Sequence, residues 1–422
     1  MGSWLATLPA VRTRSPPGTA SQEVLQAAGA PWTAALHQAT ADLEARGLFL
    51  DDDGEVKTEE PAAKWGWEDG SKPLRQRQKA YSRALDAKER GALLGRLPRA
   101  DRARLRSCGG PGAGAWLLAT PTNQTQSFED GDFSAAVRLR LGQALCLPGV
   151  RCYNLYSSRG RRGERCADFQ DAQGLHGLLC KVGGLVGRRH DQLRELLAYF
   201  LAAAGYHVLQ EQWEPRWDRV VRDRDGNPVP QRDEDGNVVL DAAGNPVPKV
   251  EHARLDHRWE APPEEPRGYG DVVVSHPGAA SWEARAADED GATAEAAARA
   301  KHDRYPEDAV RPGRLTAFSV ESWGRWSKEA YRFLKRAAAR SAVRSPGVQE
   351  LGARGSSAVL GSWLTQLSCA LQKANVAMLR GSAGDARAWP EGFTPGGDEE
   401  ARVFQALEDL LARAADLARV AA

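Results

Sequence analysis

The chain has 422 residues and a mass of 45.8 kDa. This length exceeds one ordinary hydrophobic core and predicts two or three domains, which excludes peptide hormones and disulfide miniproteins. The longest nearly apolar stretch, residues 196–205, is about half of the roughly 20 residues that a membrane-spanning helix needs. Six scattered cysteines and the absence of a signal-peptide pattern favour a reducing, intracellular compartment. We therefore expect no membrane partner.

A formal net charge of +1 hides two oppositely charged segments. Residues 73–110 carry eleven Lys or Arg against three Asp or Glu, a net charge of +8. Residues 251–310 carry seven basic against fourteen acidic residues, a net charge of −7. A basic segment suits contacts with phosphate groups and an acidic segment suits cation binding. Charge alone allows equally that the basic segment is a solvated helical face.

The first third of the chain is predicted to be mainly helical. Residues 31–46 have apolar residues at helical spacing, which predicts one helix there. Residues 74–106 predict two basic amphipathic helices that Pro98 separates, because proline interrupts helical hydrogen bonding. A further helix is predicted over residues 132–145.

The remainder of the chain combines predicted strands with predicted helices. Residues 191–204 predict a strongly apolar helix that ends at Gly205, and a strand follows over residues 206–210. Three Gly-Asn turns between residues 223 and 248 predict short hairpins or a mobile inserted loop. Beyond them, the predicted elements are strands over 252–259, 269–275 and 315–321 and helices over 292–302, 327–342, 359–379 and 399–421. This order predicts an α/β (α+β) fold.

Thiol and imidazole groups are concentrated between residues 152 and 190. They are Cys152, Cys166, His176, Cys180 and His190. Tetrahedral zinc prefers these ligands, and the spacing of His176 and Cys180 places two of them one helical turn apart. The segment contains no tight Cys-x2-Cys pair, so buried free thiols beside an ordinary histidine are the alternative.

A second group of polar residues lies on the predicted strands and on the helix between them. Asp256 lies within one strand, Asp271 begins the next and Glu321 ends the third, while Lys301 and Tyr305 are one helical turn apart. Neighbouring strands bring two carboxylates close enough to share a divalent cation, and a nearby lysine can stabilise the charge of a phosphodiester under attack. Because most single Asp and Lys residues are surface ion-pair partners, the pattern alone leaves both interpretations open.

Short motifs follow one another in a defined order between Leu74 and Arg336. They are Gly112-Ala113-Gly114-Ala115-Trp116-Leu117, Phe133-x4-Arg138-x-Arg140, Cys166, Gly174-x-His176-x3-Cys180, Arg189-His190-Asp191, Ala204-Gly205-Tyr206 with Glu211, Arg254-Leu255-Asp256, Asp271-Val272-Val273-Val274 and Lys301-x3-Tyr305. This series resembles the region downstream of the polymerase in LINE-type retrotransposon proteins that carry a restriction-like endonuclease. The order of the series is far more specific than any one motif.

The resemblance implies a nuclease core of the PD-(D/E)XK type, built on a small mixed sheet, with a Cys/His zinc element before it. It implies that Asp256 and Asp271 bind Mg²⁺ or Mn²⁺, with Glu211 as an additional ligand. Lys301 is then expected to stabilise the transition-state charge, and Tyr305 to position Lys301.

The resemblance also implies a zinc site. The ligands that match the family pattern are Cys166, His176 and Cys180. The fourth ligand is open, because Glu164 stands where the family has a cysteine. Cys152 would have to reach across an enlarged loop to complete the site, and His190 is the alternative.

The sequence therefore predicts a divalent-metal-dependent endonuclease that nicks DNA, in a chain without a polymerase segment. The alternatives are a noncatalytic nucleic-acid-binding derivative and an inactive retroelement relic, because Leu255 replaces the small or proline residue expected before Asp256 and a repeat loop interrupts the core. RNA is not distinguished from DNA, the oligomeric state is open, and a nuclear location is suspected. The residues expected to contact nucleic acid are Arg75, Arg77, Lys79, Arg83, Arg188 and Arg189.

The predicted organisation of the chain has five parts. They are a partly disordered segment with one helix (1–72), a basic helical region (73–150), a Cys/His zinc-like element (151–190), a restriction-endonuclease-like core (191–342) with an insertion loop (219–251), and a helical tail (343–422).

Overall fold

A computed structural model of the chain describes residues 49–50, 56–57, 86–146, 149–157, 161–260, 267–306 and 314–382. The chain divides into two compact units, residues 1–96 and residues 97–422. In the first unit, strands β1 (Phe49–Leu50) and β2 (Val56–Lys57) pair antiparallel, and residues 86–96 are helical. The predicted helices that lie outside the described residues are those over 31–46 and 399–421.

The second unit combines helices with a small mixed sheet, which confirms the predicted α+β class. Its helices are α1 (Arg99–Cys108), α2 (Asp130–Leu141), α3 (Leu175–Leu179), α4 (Leu185–Ala203), α5 (Glu283–Asp288), α6 (Ala292–Arg304), α7 (Lys328–Arg344), α8 (Pro346–Gln349) and α9 (Ala353–Arg380). Its strands are β3 (His207–Trp213), β4 (Arg219–Val220), β5 (Val250–Glu251), β6 (Arg254–Glu260), β7 (Gly268–Ser275) and β8 (Arg314–Glu321). Among the described residues, the helices are too short or too polar to cross a membrane.

The central sheet has four strands in the order β3-β6-β7-β8. β6 pairs antiparallel with β3 and with β7, whereas β8 runs parallel to β7. A parallel pair needs a crossover connection, which α5 and α6 provide here. The β6–β7 ladder ends at the pair formed by His257 and Gly270. The same register places Asp256 opposite Asp271, one step beyond the last pair.

Helices α4 and α7 pack on the sheet, and α9 packs on these two helices. Phe200 of α4 stacks on Trp363 of α9 with the ring centroids 4.8 Å apart, and Phe333 of α7 meets Phe318 of β8 edge to face. Burial of these rings removes a large apolar area from water, which is the main stabilising contribution here. The tail helix predicted over residues 359–379 is therefore part of the core.

Helix α9 also packs in a second hydrophobic cluster. Its Met378 and Leu379 contact a group that includes Leu139 of α2 and Leu178 of α3. Because one continuous helix contributes to both clusters, α9 links the segment that carries the cysteines to the sheet.

Strand β7 has glycine at two positions where aromatic rings of neighbouring strands cross it. A Cβ atom at Gly268 would overlap the indole of Trp259, and a Cβ at Gly270 would lie 2.8 Å from Cε2 of Phe318. Both aromatic residues are buried. Glycine thus makes room for rings that belong to the core.

The inserted segment between β4 and β5 consists of three turns. Asp223, Asp233 and Asp241 begin these turns, and the Oδ1 atom of each accepts hydrogen bonds from two backbone N–H groups further along its own turn. This is the turn chemistry for which Asp is favoured. Isolated β-bridges flank the turns, so the predicted short hairpins are confirmed.

The acidic segment around α5 contacts basic residues of α1. Arg106 donates to Asp290 at 2.8 Å, and Arg102 lies 3.5 Å from Asp288. Arg325 also pairs with Asp290, at 3.2 Å. The second of the two predicted basic helices therefore uses part of its charge within the protein.

We expect Gly268→Ala to destabilise the second unit by about 1–3 kcal/mol, because the added methyl group forces the buried Trp259 ring to move. Urea unfolding followed by tryptophan fluorescence measures this change. Gly361→Ala in α9 is the matched control, since its new methyl group would meet open space. That control should be neutral or gain up to about 1 kcal/mol from helix propensity. Equal stabilities of the two variants would contradict the packing described for β7.

Candidate metal centres

Four cysteine and histidine side chains form a compact cluster. The ligand atoms of Cys152, Cys166, His176 and Cys180 all lie within 4.8 Å of one another. Cys180 Sγ lies 3.7 Å from Cys152 Sγ and 3.8 Å from Cys166 Sγ, and Cys166 Sγ lies 3.7 Å from His176 Nε2. A tetrahedral zinc ion with Zn–S bonds of about 2.3 Å requires sulfur atoms about 3.8 Å apart. The four side chains therefore have the spacing of a zinc tetrahedron.

Two local structures bring these ligands together. Residues 151–156 run antiparallel to residues 164–169, with the Cys152 amide donating to Asp168 O and the Cys166 amide donating to Asn154 O. This pairing brings Cys152 across the arginine-rich loop to Cys166. His176 lies on α3 and Cys180 is the residue at which α3 ends. Cys152 is thus the fourth member of the cluster, a place that the sequence left open.

The thiolate forms of this cluster need a compensating charge. Burial, with a smaller contribution from the neighbouring Cys180 thiol, raises the pKa of Cys152 to about 12. Burial also raises the pKa of Cys166. Buried thiolates therefore need a cation beside them. Asp168 lies 4.0 Å from His176 Nδ1, where an outer carboxylate can orient the ring. The cluster can hold a metal such as zinc.

A second group lies between β6 and β7 at the end of their ladder. His190, Asp256 and Asp271 place one ligand atom each within 4.8 Å of the others. Asp256 Oδ2 accepts a hydrogen bond of 2.6 Å from the Val272 amide and lies 3.0 Å from His190 Nε2. Lys301 Nζ donates to Asp271 Oδ2 at 2.7 Å. Three of the four predicted catalytic residues thus meet at one point.

The position of each side chain follows from its element. The β6–β7 register brings Asp256 and Asp271 together, and α6 crosses β7 and β8 so that Lys301 reaches Asp271. Helix α4 begins at Leu185, earlier than the predicted residue 191, and therefore includes His190. Both acids are buried, at 9% and 4% exposure, whereas about 30% of each of the His190 and Lys301 side chains is exposed. A ligand therefore approaches from the side of the two basic groups.

The two carboxylates of this group have opposite pKa shifts. Burial raises the pKa of Asp271 to about 7, and the charge of Asp256 adds to the rise although Lys301 opposes it. Burial acts in the same direction on Asp256, but hydrogen bonds from His190, Asp271 and the Val272 amide outweigh it and lower the pKa to about 2. Asp256 therefore ionises more readily than Asp271, as is usual when two carboxylates share one site.

The two acids also change the pKa values of the neighbouring bases, His190 and Lys301. The hydrogen bond to Asp256 raises the pKa of His190 although burial opposes it. Burial disfavours the charge of Lys301, but attraction to Asp271 outweighs this effect and raises its pKa. The acids thus favour the charged forms of both neighbouring bases.

Tyr305 touches Lys301 through its ring. The Lys301 Nζ atom lies 6.0 Å from the ring centroid, and the ring packs 5.4 Å from that of Trp217. Tyr305 is buried in a cluster that also contains Leu255 and Leu315. The contact between Tyr305 and Lys301 is therefore a cation–π contact between the ammonium group and a buried ring.

Three residues do not lie in the site for which they were predicted. The carboxylate of Glu211 pairs with Arg194 and, at 3.6 Å, with Arg254, so the predicted additional ligand is wrong in this geometry. Glu321 accepts hydrogen bonds from the amide and hydroxyl of Thr293 at the start of α6, which makes it a helix cap. His190 is not a zinc ligand, because helix α4 directs it to Asp256.

The predicted nucleic-acid contacts have mixed outcomes. Arg189 is 4% exposed and donates to Asn375 Oδ1 at 2.9 Å, so its prediction as a phosphate contact is wrong. Arg188 is exposed on α4 beside it. The remaining predicted contacts lie outside the described residues; they are Arg75, Arg77, Lys79 and Arg83.

Two neighbours of the metal groups were missed from the sequence. Asp191 lies 3.3 Å from His190 Nδ1, and Asp168 approaches the ring of His176. The helical spacing of His190 with Leu193 and Leu197 could have indicated that His190 faces the sheet, because Leu193 and Leu197 are buried on that side of the helix.

Comparison of the sequence with models of known protein families finds no match, and no curated protein matches the chain significantly. The interpretation of both centres therefore depends on their residues and geometry.

We expect the purified chain to contain one zinc ion at the Cys/His cluster. Cys166→Ser should abolish stoichiometric zinc and destabilise the protein by about 3 kcal/mol or more, because metal binding contributes directly to folding. Elemental analysis and calorimetric melting measure the two effects. Cys369→Ser is the matched control, since Cys369 is a buried free thiol outside the cluster. Full zinc content in Cys166→Ser would contradict the assignment.

Proposed function

We propose that the chain is a divalent-metal-dependent endonuclease that nicks DNA, related to the restriction-like endonucleases of LINE-type retrotransposons. In this proposal the carboxylate group between β6 and β7 is the catalytic centre. The Cys/His cluster is a structural zinc site that precedes it in the chain.

The proximity of Asp256, Asp271 and Lys301 is the observation that carries the proposal. Two acids from adjacent strands have ligand atoms within 4.8 Å, and a lysine from the following helix contacts one of them at 2.7 Å. Carboxylate oxygens at this separation can share one Mg²⁺ or Mn²⁺ ion. A lysine beside such an ion suits phosphodiester hydrolysis, in which negative charge increases on the phosphate.

The architecture supports the same proposal. The resemblance implies a small mixed sheet with its metal-binding acids on neighbouring strands and its lysine on a helix. Here the acids lie on β6 and β7, and the lysine lies on α6, which connects the parallel strands β7 and β8. The Cys/His cluster precedes this core in the chain, again in the implied order.

Each residue has a defined role in the proposed reaction. Asp256 and Asp271 would hold the cation through their carboxylate oxygens. A divalent cation supplies an activated water and neutralises charge on the scissile phosphate when it is bound. Lys301 is partly exposed, so its ammonium can donate to a phosphate oxygen while Tyr305 limits its movement. Exposed Arg188 on α4 is available to contact the DNA backbone.

We expect Asp256→Asn, Asp271→Asn and Lys301→Met each to reduce nicking by at least about 100-fold, because each removes a charge that acts on the transition state. The assay measures conversion of supercoiled plasmid to the open circular form with Mg²⁺ or Mn²⁺. Chelation of the cation should stop the reaction in the wild-type protein.

Two exposed residues provide matched controls for these substitutions. Asp303→Asn on α6 and Lys335→Met on α7 change the same charges away from the centre and should retain wild-type nicking. Nicking that survives in both Asp256→Asn and Asp271→Asn would refute the assignment. Retardation of DNA that weakens with salt, without cleavage in the wild type, would favour the noncatalytic alternative.

Glu211→Gln should retain nicking within about threefold of the wild type, because its carboxylate is paired with two arginines and is not directed at the centre. The same plasmid assay measures this ratio. A loss comparable to that of Asp256→Asn would show that Glu211 contributes to the centre after all.

A further inference from the structure

His190 lies beside the two acids with a ring nitrogen directed at them. Its Nε2 atom is 3.0 Å from Asp256 Oδ2, and one ligand atom from each of His190, Asp256 and Asp271 lies within 4.8 Å of the others. The three residues come from three different elements, α4, β6 and β7. One ring nitrogen and two carboxylates therefore converge on a single point.

The other ring nitrogen of His190 has the partner that a metal-binding histidine usually has. Nδ1 lies 3.3 Å from Asp191 Oδ1, and Arg194 Nη1 holds the same Asp191 oxygen at 3.2 Å. Ligating histidines commonly donate their second N–H to a carboxylate, which fixes the tautomer and orients the ring. With Nδ1–H held by Asp191, the Nε2 atom that now faces Asp256 would offer its lone pair to a cation once its own proton has left.

We propose that His190 is a third protein ligand of the cation held by Asp256 and Asp271, and that this centre prefers Mn²⁺ to Mg²⁺. The preference for Mn²⁺ specifies the cofactor of the proposed nuclease, and this part of the inference rests on the proposed function. The claim that His190 binds the cation depends only on the geometry of the group.

The preference follows from ligand chemistry. Mg²⁺ is bound mainly by oxygen and keeps several waters, whereas an imidazole nitrogen favours divalent transition metals. A centre with one nitrogen and two carboxylate oxygens therefore binds Mn²⁺ more tightly than a centre with oxygens alone. The Cys/His cluster offers three cysteine sulfurs, so its ligands are softer than those of the carboxylate group.

A simpler role for His190 is that of an ion-pair partner of Asp256 only. In that role the imidazolium neutralises the buried carboxylate and leaves when a cation binds. The two roles predict different effects of His190 on metal affinity, because only a ligand adds to the affinity for Mn²⁺.

The test measures Mn²⁺ binding directly on the zinc-loaded full chain. Electron paramagnetic resonance of free Mn²⁺ follows the titration, and competition with Mg²⁺ gives the second affinity. We expect His190→Gln to weaken Mn²⁺ binding by about 10–100-fold and to change Mg²⁺ binding by less than about threefold. Asp256→Asn should weaken both. His207→Gln is the matched control, because His207 is an exposed histidine at the start of β3.

The outcomes separate this inference from the proposed function. Unchanged Mn²⁺ affinity in His190→Gln, with zinc content and melting temperature retained, overturns the inference and leaves the nuclease proposal standing. Absence of Mn²⁺ binding in the wild type also overturns it. Mn²⁺ binding that depends on His190 in a protein that never nicks DNA would support the ligand assignment and refute the nuclease proposal. If the wild type nicks DNA, its ratio of Mn²⁺ to Mg²⁺ rates should fall in His190→Gln.

Discussion

The pairing register between β6 and β7 is the constraint on which the carboxylate centre depends. A slip of one residue would place Leu255 or His257 opposite Asp271 and move Asp256 away. Core packing fixes this register, because Trp259 lies over Gly268 and the Phe318 ring approaches Gly270. The residues that fill the interior thus also determine whether the two acids meet. The pairing of the two strands is therefore sufficient to place the two acids side by side.

Helix α4 connects the two candidate metal centres. It begins at Leu185, shortly after Cys180, and its consecutive residues Arg189 and His190 face different partners. Arg189 contacts Asn375 of α9, whereas His190 contacts Asp256 of β6. Because one rigid helix follows the Cys/His cluster and reaches the acids, the cluster fixes the start of the element that positions His190. A metal ion bound at the Cys/His cluster would therefore also stabilise the start of the helix that positions His190.

Much of this arrangement could be predicted from local sequence patterns. The strands predicted over residues 252–259, 269–275 and 315–321 agree with β6, β7 and β8 to within about two residues, since alternation and β-branched residues are local signals. The same pattern allowed two interpretations of the two acids and the lysine, a shared cation site or surface ion pairs, and the resemblance favoured the shared site. The place of His190 and the burial of Arg189 did not follow from local patterns, because each depends on a partner far away in the chain. Family membership, nuclease activity and DNA binding remain predictions.

The inserted segment between β4 and β5 begins and ends at neighbouring positions of the fold. β4 and β5 pair with Arg219 opposite Glu251, so the chain ends of the insertion are already side by side. The entropy cost of closing a loop rises only slowly with its length, by about 0.6 kcal/mol for each doubling. The core therefore tolerates large changes in this segment, and a tight two-residue turn or a foreign domain could replace it. Natural length variation among related chains would be accommodated here, and this position offers an attachment point for a reporter or an affinity handle.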